Sequence, residues 1–343
     1  MRIAIVNDLR MAQEVLRKAV AAIPDASLAW IAADGHQALL ACKKERPDLI
    51  LMDMVMPVMD GAVATRAIMK ECPCPILVVT STIEGNLSLV YEALSAGAID
   101  AVQTPQFAPD GSITGLDSLI RKSRVAIAAS AAHGAGSMLA SQPAPTRPAT
   151  TLPSARLPLL AIGSSTGGPH ALSVVLRGLT SHNAYSTVVV QHLDAAYAAG
   201  LATWLSREIN RPVRTAAEGD RLRCGETLIA ATNDHLIVRD GCAHYVAEPV
   251  DQIYRPSVDA FFHSIVRDPS VSGTAVLLTG MGRDGAEGMR SLRQAGWHTI
   301  AQDAATSIVW GMPGAAVALG AAIEVLSIDM IGPAASRSLA RHS

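Results

Sequence analysis

LILMDMVMPVMDG, residues 49–61, is the stretch on which the fold of the amino-terminal half turns. Leu49, Ile50, Leu51 and Met52 form a short apolar run without alternation, as a strand covered on both faces requires. An acid, Asp53, follows at once. Outward in both directions the same kind of run recurs at residues 3–6, 28–31, 76–79 and 99–102. Between the runs lie segments with helical spacing, such as Val15, Ala19 and Ala22, or Leu39, Leu40 and Lys43. Strands alternating with helices in this way predict a five-stranded parallel sheet with helices on both faces.

A doubly wound, flavodoxin-like strand order closes such a sheet most simply, and ligands then sit beyond the carboxyl ends of the strands. The residues there are Asn7-Asp8, Asp53, Thr80-Ser81 and Gln103-Thr104-Pro105. Two carboxylates and a hydroxyl converge on one crevice. Hard oxygen donors of this kind suit Mg²⁺ and phosphoryl chemistry.

The carboxyl-terminal half carries a second set of strand ends. Residues 157–163, LPLLAIG, read as a strand running into Ser164-Ser165-Thr166-Gly167-Gly168-Pro169 and then a helical pattern. Gly163 to Gly167 fits G-x-S-x-G centred on Ser165, a sharp strand-to-helix turn that exposes a serine. The helix N-terminus adds unpaired N–H groups for a developing oxyanion, although Ser/Gly loops of this kind also bind phosphate. A serine nucleophile needs a base, and the base an orienting acid. His192 directly follows the strand pattern TVVVQ, and Asp284 lies in Gly280-Met281-Gly282-Arg283-Asp284-Gly285 after TAVLLT. In a doubly wound parallel sheet Ser165, His192 and Asp284 share one rim. Asp303, after HTIAQ, is the rival acid, and the other histidines lack a neighbouring catalytic pattern.

Composition bounds the rest. At roughly 150 residues per domain, 343 residues suggest about two domains. Residues 126–156 are rich in Ala, Ser, Pro and Thr and read as a linker, dividing the chain into domains at 1–125 and 157–343. A net charge of -2 and 3% aromatic residues argue against nucleic-acid binding. No apolar run approaches the ~18 residues that span a bilayer, and no signal peptide is visible; a cytoplasmic location is the expectation. The five cysteines form no C-x-x-C, and Cys72-Pro73-Cys74 has the wrong spacing for a zinc knuckle, so reduced thiols are expected.

The segment Asp53 to Gly61 resembles the phosphoacceptor loop of response-regulator receiver domains. The resemblance implies that Asp53 accepts a phosphoryl group from a histidine kinase, that Asp8 and Asp53 bind Mg²⁺, and that Thr80 meets the phosphoryl oxygens. Three positions depart from it: Asn7 replaces a second acid, Thr104 a lysine, and Ala101 a switching aromatic. Farther on, Gly163–Gly168, Gln191-His192, Arg255-Pro256-Ser257-Val258-Asp259, Thr279–Gly285, Ala301-Gln302-Asp303 and Gly311-Met312-Pro313 resemble the motifs of CheB-type protein-glutamate methylesterases. That family implies a doubly wound α/β catalytic domain with Ser165 as nucleophile, His192 as base and Asp284 as acid. It implies an oxyanion donor at Met281 and active-site lining by Thr166 and Arg255.

The implied reaction is hydrolysis of glutamyl γ-methyl esters, with deamidation of glutamines by the same triad, on a methyl-accepting chemoreceptor. No cofactor is implied for catalysis. Asn7-Asp8 and Thr104-Pro105 are similar to the subgroup of the Wsp surface-sensing pathway. A non-enzymatic receptor or kinase adaptor and a small-ester serine hydrolase are the alternatives.

Overall fold

The chain forms two compact units, residues 1–134 and 135–343. A computed structural model describes residues 1–80, 83–108, 113–117, 119–120, 122–124, 156–193, 195–249 and 254–341. Ser81 and all of the 126–156 segment except Arg156 lie outside the described residues.

The first unit runs β1 (Arg2–Val6), α1 (Arg10–Ala22), β2 (Ser27–Ala32), α2 (Gly35–Lys44), β3 (Leu49–Met52), α3 (Gly61–Glu71), β4 (Ile76–Thr80), α4 (Ile83–Ser95) and β5 (Asp100–Gln103). Its sheet has the order β2-β1-β3-β4-β5, and every pairing is parallel. This is the flavodoxin-like order expected from the alternation. The unbroken apolar runs mark the central strands: Ile3 to Val6, Leu49 to Met52 and Ile76 to Val79 are all 0% exposed. Asp34 and Asp60 start α2 and α3 by accepting hydrogen bonds from the N–H groups of Gln37 and Val63, each at 2.8 Å. A small antiparallel hairpin, β6 (Gln106–Phe107) and β7 (Ile113–Thr114), follows β5 and was not foreseen.

The second unit carries β8 (Leu157–Ser164), α5 (Gly168–Arg177), β9 (Ser186–Gln191), α6 (Ala195–Ile209), β10 (Val213–Thr215), β11 (Thr227–Ile229), β12 (His235–Arg239), β13 (Cys242–Val246), α7 (Val258–Arg267), β14 (Val271–Leu277), α8 (Ala286–Gln294), β15 (His298–Gln302), α9 (Met312–Ala318), β16 (Glu324–Leu326) and α10 (Ile328–Leu339). Seven of these strands form a parallel sheet in the order β10-β11-β9-β8-β14-β15-β16. The antiparallel pair β12-β13 stands apart and packs on α7. Its short strands between turns gave no parallel-sheet signal in the sequence. β14 starts three residues earlier than the 274–279 run suggested and ends at Leu277. Beyond it, Thr279 leaves the ladder because its N–H is taken by the Gln302 side chain at 2.8 Å.

The order β9-β8-β14 at the sheet centre decides where chemistry can occur. β8 is paired on both sides, with Ser164 opposite Gln191 and Gly163 opposite Leu277. The loops that follow these three adjacent parallel strands therefore emerge on one rim.

Candidate active site

Ser165 is the first residue past β8, and only 9% of it is exposed. Its N–H donates to the Thr279 carbonyl at 3.0 Å. Its own carbonyl accepts from Gly168 N–H and from Gln191 Nε2, each at 2.8 Å. Gln191 also accepts from Ser164 Oγ at 2.6 Å, so one buried amide ties both serines of the turn to β9. The backbone at Gly280 lies so close that a Cβ there would meet Ser165 Cβ at 2.8 Å and press on Met312. Glycine at 280 is thus required for the loop after β14 to approach the serine. Among the described residues, the N–H groups of Thr166 and Met281 have no acceptor. Donors left open at a helix start and a glycine turn suit a developing oxyanion.

His192 follows β9, and its N–H donates to Ser164 O at 2.9 Å. The imidazole and the Asp284 carboxylate are both 7% exposed, with Nε2 2.7 Å from Oδ2. Beside an acceptor-only carboxylate the Nε2 carries the proton. The other ring nitrogen, Nδ1, is buried and has no partner among the described residues. A buried nitrogen lone pair without a donor is costly unless a reaction uses it. The serine and histidine therefore occupy neighbouring strand ends without a hydrogen bond between them, as catalytic pairs in ligand-free sites commonly do.

Asp284 is saturated. Oδ2 accepts from His192 and from Val258 N–H at 2.7 Å; Oδ1 accepts from Ser257 Oγ at 2.8 Å and Asp259 N–H at 2.9 Å. These donors come from the start of α7, where Ser257 is the N-cap, so the acid also faces a helix N-terminus. Burial alone would raise its pKa. The His192 hydrogen bond, with the N–H groups of Asp259 and Val258, outweighs burial and holds it below the usual carboxylate range. Asp259 goes the other way: burial and the neighbouring Asp284 charge push it up to about 6, although Gly288 N–H donates to it at 2.6 Å.

Sequence reasoning missed three supports. Tyr254 stacks on the His192 ring with centroids 4.3 Å apart and planes 3° from parallel. Ser257 links Asp284 to the α7 cap. His235, fully buried, accepts from Ser257 N–H through Nδ1 at 3.1 Å, and its Nε2 lies 3.0 Å from Pro249 O. A serine two residues before an acid at a helix start was the signal available for the second. The first and third needed the tertiary structure.

Other expected residues are placed less directly. Thr166 is buried, and its carbonyl accepts from Thr279 Oγ1 at 2.9 Å. Arg255 pairs with Asp234 at 2.7 Å, and its buried Nε has no partner among the described residues. Asp303, the rival acid, instead closes a turn by accepting from Thr306 N–H and Oγ1 at 2.9 and 2.6 Å.

In the first unit, Asp53 is buried beyond β3 and accepts from Met54 N–H at 2.7 Å. Asn7 donates through Nδ2 to Asp53 Oδ2 at 2.9 Å, while its Oδ1 accepts from Leu9 N–H at 2.8 Å. Burial and the Asp8 charge push the Asp53 pKa up to about 6 against the Met54 and Val55 N–H groups. Thr80 is fully buried at the end of β4, and its carbonyl accepts from the N–H of buried Thr104 at 2.9 Å. Ala101 is buried on β5. Asn7, Asp53, Thr80 and Thr104 thus gather at the carboxyl rim of this sheet.

Comparison with known proteins agrees with both halves. Residues 160–335 match the model of the CheB methylesterase family, and residues 3–110 that of the response regulator receiver domain. A protein-glutamate methylesterase/protein-glutamine glutaminase of Pseudomonas fluorescens is 45% identical over 97% of this chain and 98% of its own length. A relative of the same name from Burkholderia thailandensis is 47% identical over 96% of this chain and 95% of its own. The solved catalytic domain of Thermotoga maritima CheB methylesterase is 30% identical, covering 53% of this chain and 98% of that one with a TM-score of 0.48. With a receiver unit preceding a catalytic unit that matches over most of its length, the chain belongs to the CheB methylesterase family.

Proposed function

We propose that the second unit hydrolyses γ-methyl esters of glutamate side chains on a chemoreceptor, with Ser165, His192 and Asp284 as the reacting triad. The observation that carries this reading is the His192 ring itself. Its Nε2 is anchored on Asp284, and its buried Nδ1 has no partner among the described residues and lies one strand away from Ser165. Ser165 Oγ attacks the ester carbonyl while Nδ1 takes the hydroxyl proton. The oxyanion is met by the N–H groups of Thr166 and Met281. The carbon–oxygen bond to the methoxy group breaks, and methanol departs with the proton from Nδ1. Water then cleaves the acyl-serine through the same groups in reverse. A glutamine side chain follows the same course with ammonia as the leaving group. Arg255 lines this site.

The catalytic domain spans 157–343, the receiver 1–125, and 126–156 links them. In the receiver, Asp53 takes a phosphoryl group from a histidine kinase. The donor set fits a Mg²⁺ ion through Asp8 and Asp53, whose charges are close enough to influence each other, with water completing the shell. Asn7 fits less well, because its oxygen is engaged by Leu9 and its amide N–H points at Asp53. When bound, the ion supplies positive charge beside the phosphoryl oxygens. Phosphorylation relieves inhibition of the esterase, and Thr104 and Ala101 make the shift small, since neither supplies the cation or the aromatic that transmits it elsewhere in the family. Asn7 and Thr104 support membership of the Wsp-pathway subgroup. The reaction belongs to the cytoplasm; among the described residues no helix is long and apolar enough to cross a membrane.

A substrate comparison tests the reading. The full chain is expected to release methanol from a methylated receptor faster than it hydrolyses p-nitrophenyl esters. Turnover of the small esters alone points to a general serine hydrolase.

A further inference from the structure

Three of the five cysteines meet in the receiver unit, away from the Asp53 crevice. Cys42 lies in the last turn of α2, Cys72 caps the end of α3, and Cys74 stands two residues later, before β4. Cys42 Sγ is 2.8 Å from Cys72 Sγ and 3.8 Å from Cys74 Sγ. The shorter separation is closer than ordinary contact between sulfur atoms, and a covalent disulfide needs only about 2.05 Å. The pair is locked by reciprocal contacts: Cys72 Sγ donates to Cys42 O at 3.1 Å, and Cys42 Sγ to Cys72 O at 3.5 Å. Cys42 and Cys74 are buried, whereas Cys72 is partly exposed.

A soft metal ion is the other chemistry three thiols suggest. It needs the sulfurs in a ring around one point. Here Cys42 contacts both others, while no Cys72–Cys74 sulfur contact is present among the described residues, nor any group of three ligands fit to hold a metal. The arrangement has a central sulfur with a neighbour on either side.

We propose that Cys42 and Cys72 are a thiol pair that a hydroperoxide converts reversibly to a disulfide. Cys72, the accessible member, reacts first. The thiol gives up its proton, the thiolate attacks a peroxide oxygen, the O–O bond breaks, and Cys72 sulfenic acid forms; the displaced hydroxide (an alkoxide for an organic hydroperoxide) takes up the released proton and leaves as water or the alcohol. Cys42 sulfur then attacks the sulfenic sulfur. The S–S bond forms, the S–O bond breaks, and the hydroxyl leaves with the Cys42 proton as water. Two electrons pass from the pair to one peroxide, and a dithiol reductant returns them. Burial and the contact with Cys42 push the Cys72 thiol up to about 11, so little thiolate is present at neutral pH and the pair responds to sustained rather than passing oxidant. The bond ties the end of α2 to the end of α3 and brackets β3 and Asp53.

The test treats the reduced full chain with hydrogen peroxide, blocks remaining thiols by alkylation, and maps peptides by mass without reductant. The expected result is a peptide pair joined through Cys42 and Cys72, with two of the five thiols lost and both restored by dithiothreitol. The link survives in Cys74→Ser and Cys224→Ser and disappears in Cys72→Ser. Recovery of Cys42 and Cys72 as alkylated thiols overturns the proposal. So does Cys72 recovered as an unlinked sulfinic or sulfonic acid, or an undiminished link to Cys42 in Cys72→Ser.

Discussion

His192 meets Asp284 through Nε2 at 2.7 Å, which puts the ring proton on Nε2 and the lone pair on the buried Nδ1. The acid that fixes this tautomer is itself fixed by three donors from the start of α7. Base, acid and helix start form one connected chain of hydrogen bonds, and Ser165 stands at the adjoining strand end.

Asp284→Asn replaces one of the two accepting oxygens with an NH₂ donor, so the acceptor-only carboxylate that selects the tautomer is lost. The expected loss in kcat is about 10³- to 10⁴-fold, with substrate binding little changed. The variant also loses a depressed carboxylate, whose stabilisation is present above the unfolded pKa of about 4 and fades as pH falls through the lower folded pKa. Kinetics on methylated receptor, with urea titrations at neutral and acid pH, should show a slower and less stable variant whose stability deficit closes as pH falls.

Tyr254 holds the plane of His192 by stacking. An aromatic pair contributes about 0.5–1.5 kcal/mol beyond burial, so Tyr254→Ala should slow turnover about two- to tenfold. Tyr254→Phe keeps the ring and should retain more activity than the alanine variant. Equal losses in both would assign the effect to the hydroxyl instead of the stack.

Asp259 is a buried acid raised to about 6 beside the anionic Asp284. The folded chain binds its proton more tightly than the unfolded chain does. Its contribution to stability is therefore fully present below about pH 4 and is lost as pH rises through 6. Asp259→Asn keeps an acceptor for Gly288 N–H and removes the buried charge. It should be more stable than wild type by about 2 kcal/mol at pH 8 and show no advantage at pH 4, as read by urea titration.

Asn7→Asp restores a carboxylate beside Asp53. Without divalent cation, two anions then face each other where an amide now donates at 2.9 Å, and the receiver should be less stable. With Mg²⁺ the added charge should tighten cation binding at least about tenfold and speed labelling of Asp53 by a small phosphodonor. Calorimetric Mg²⁺ titration of the two proteins measures this.

Much of this was legible in the residues. Unbroken apolar runs ending in Asp8, Asp53, Ser165 and His192 imply parallel strands with polar residues on one rim, because backbone sterics and burial leave few other closures. The glycines at 163, 167 and 280 marked close approaches of the chain: at 163 to Val258, at 167 to Ile308 and at 280 to Ser165. Other features depend on contacts between distant segments and leave no local period. The choice of Nε2 over Nδ1, the Tyr254 stack and the support of Ser257 by His235 are of this kind. Asn7 stands where an acid was expected, and its oxygen is taken by Leu9 N–H while its amide donates to Asp53. Side-chain amides present both faces, and only the folded neighbourhood selects one.

Methanol release from a radiolabelled, methylated cognate receptor, measured for wild type and Ser165→Ala side by side, tests the assignment of the triad most directly. Wild type is expected to release labelled methanol in a catalytic, time-dependent manner, and Ser165→Ala to fall at least about 10³-fold below it. Equal release from the two proteins, or none from wild type, would contradict the assignment.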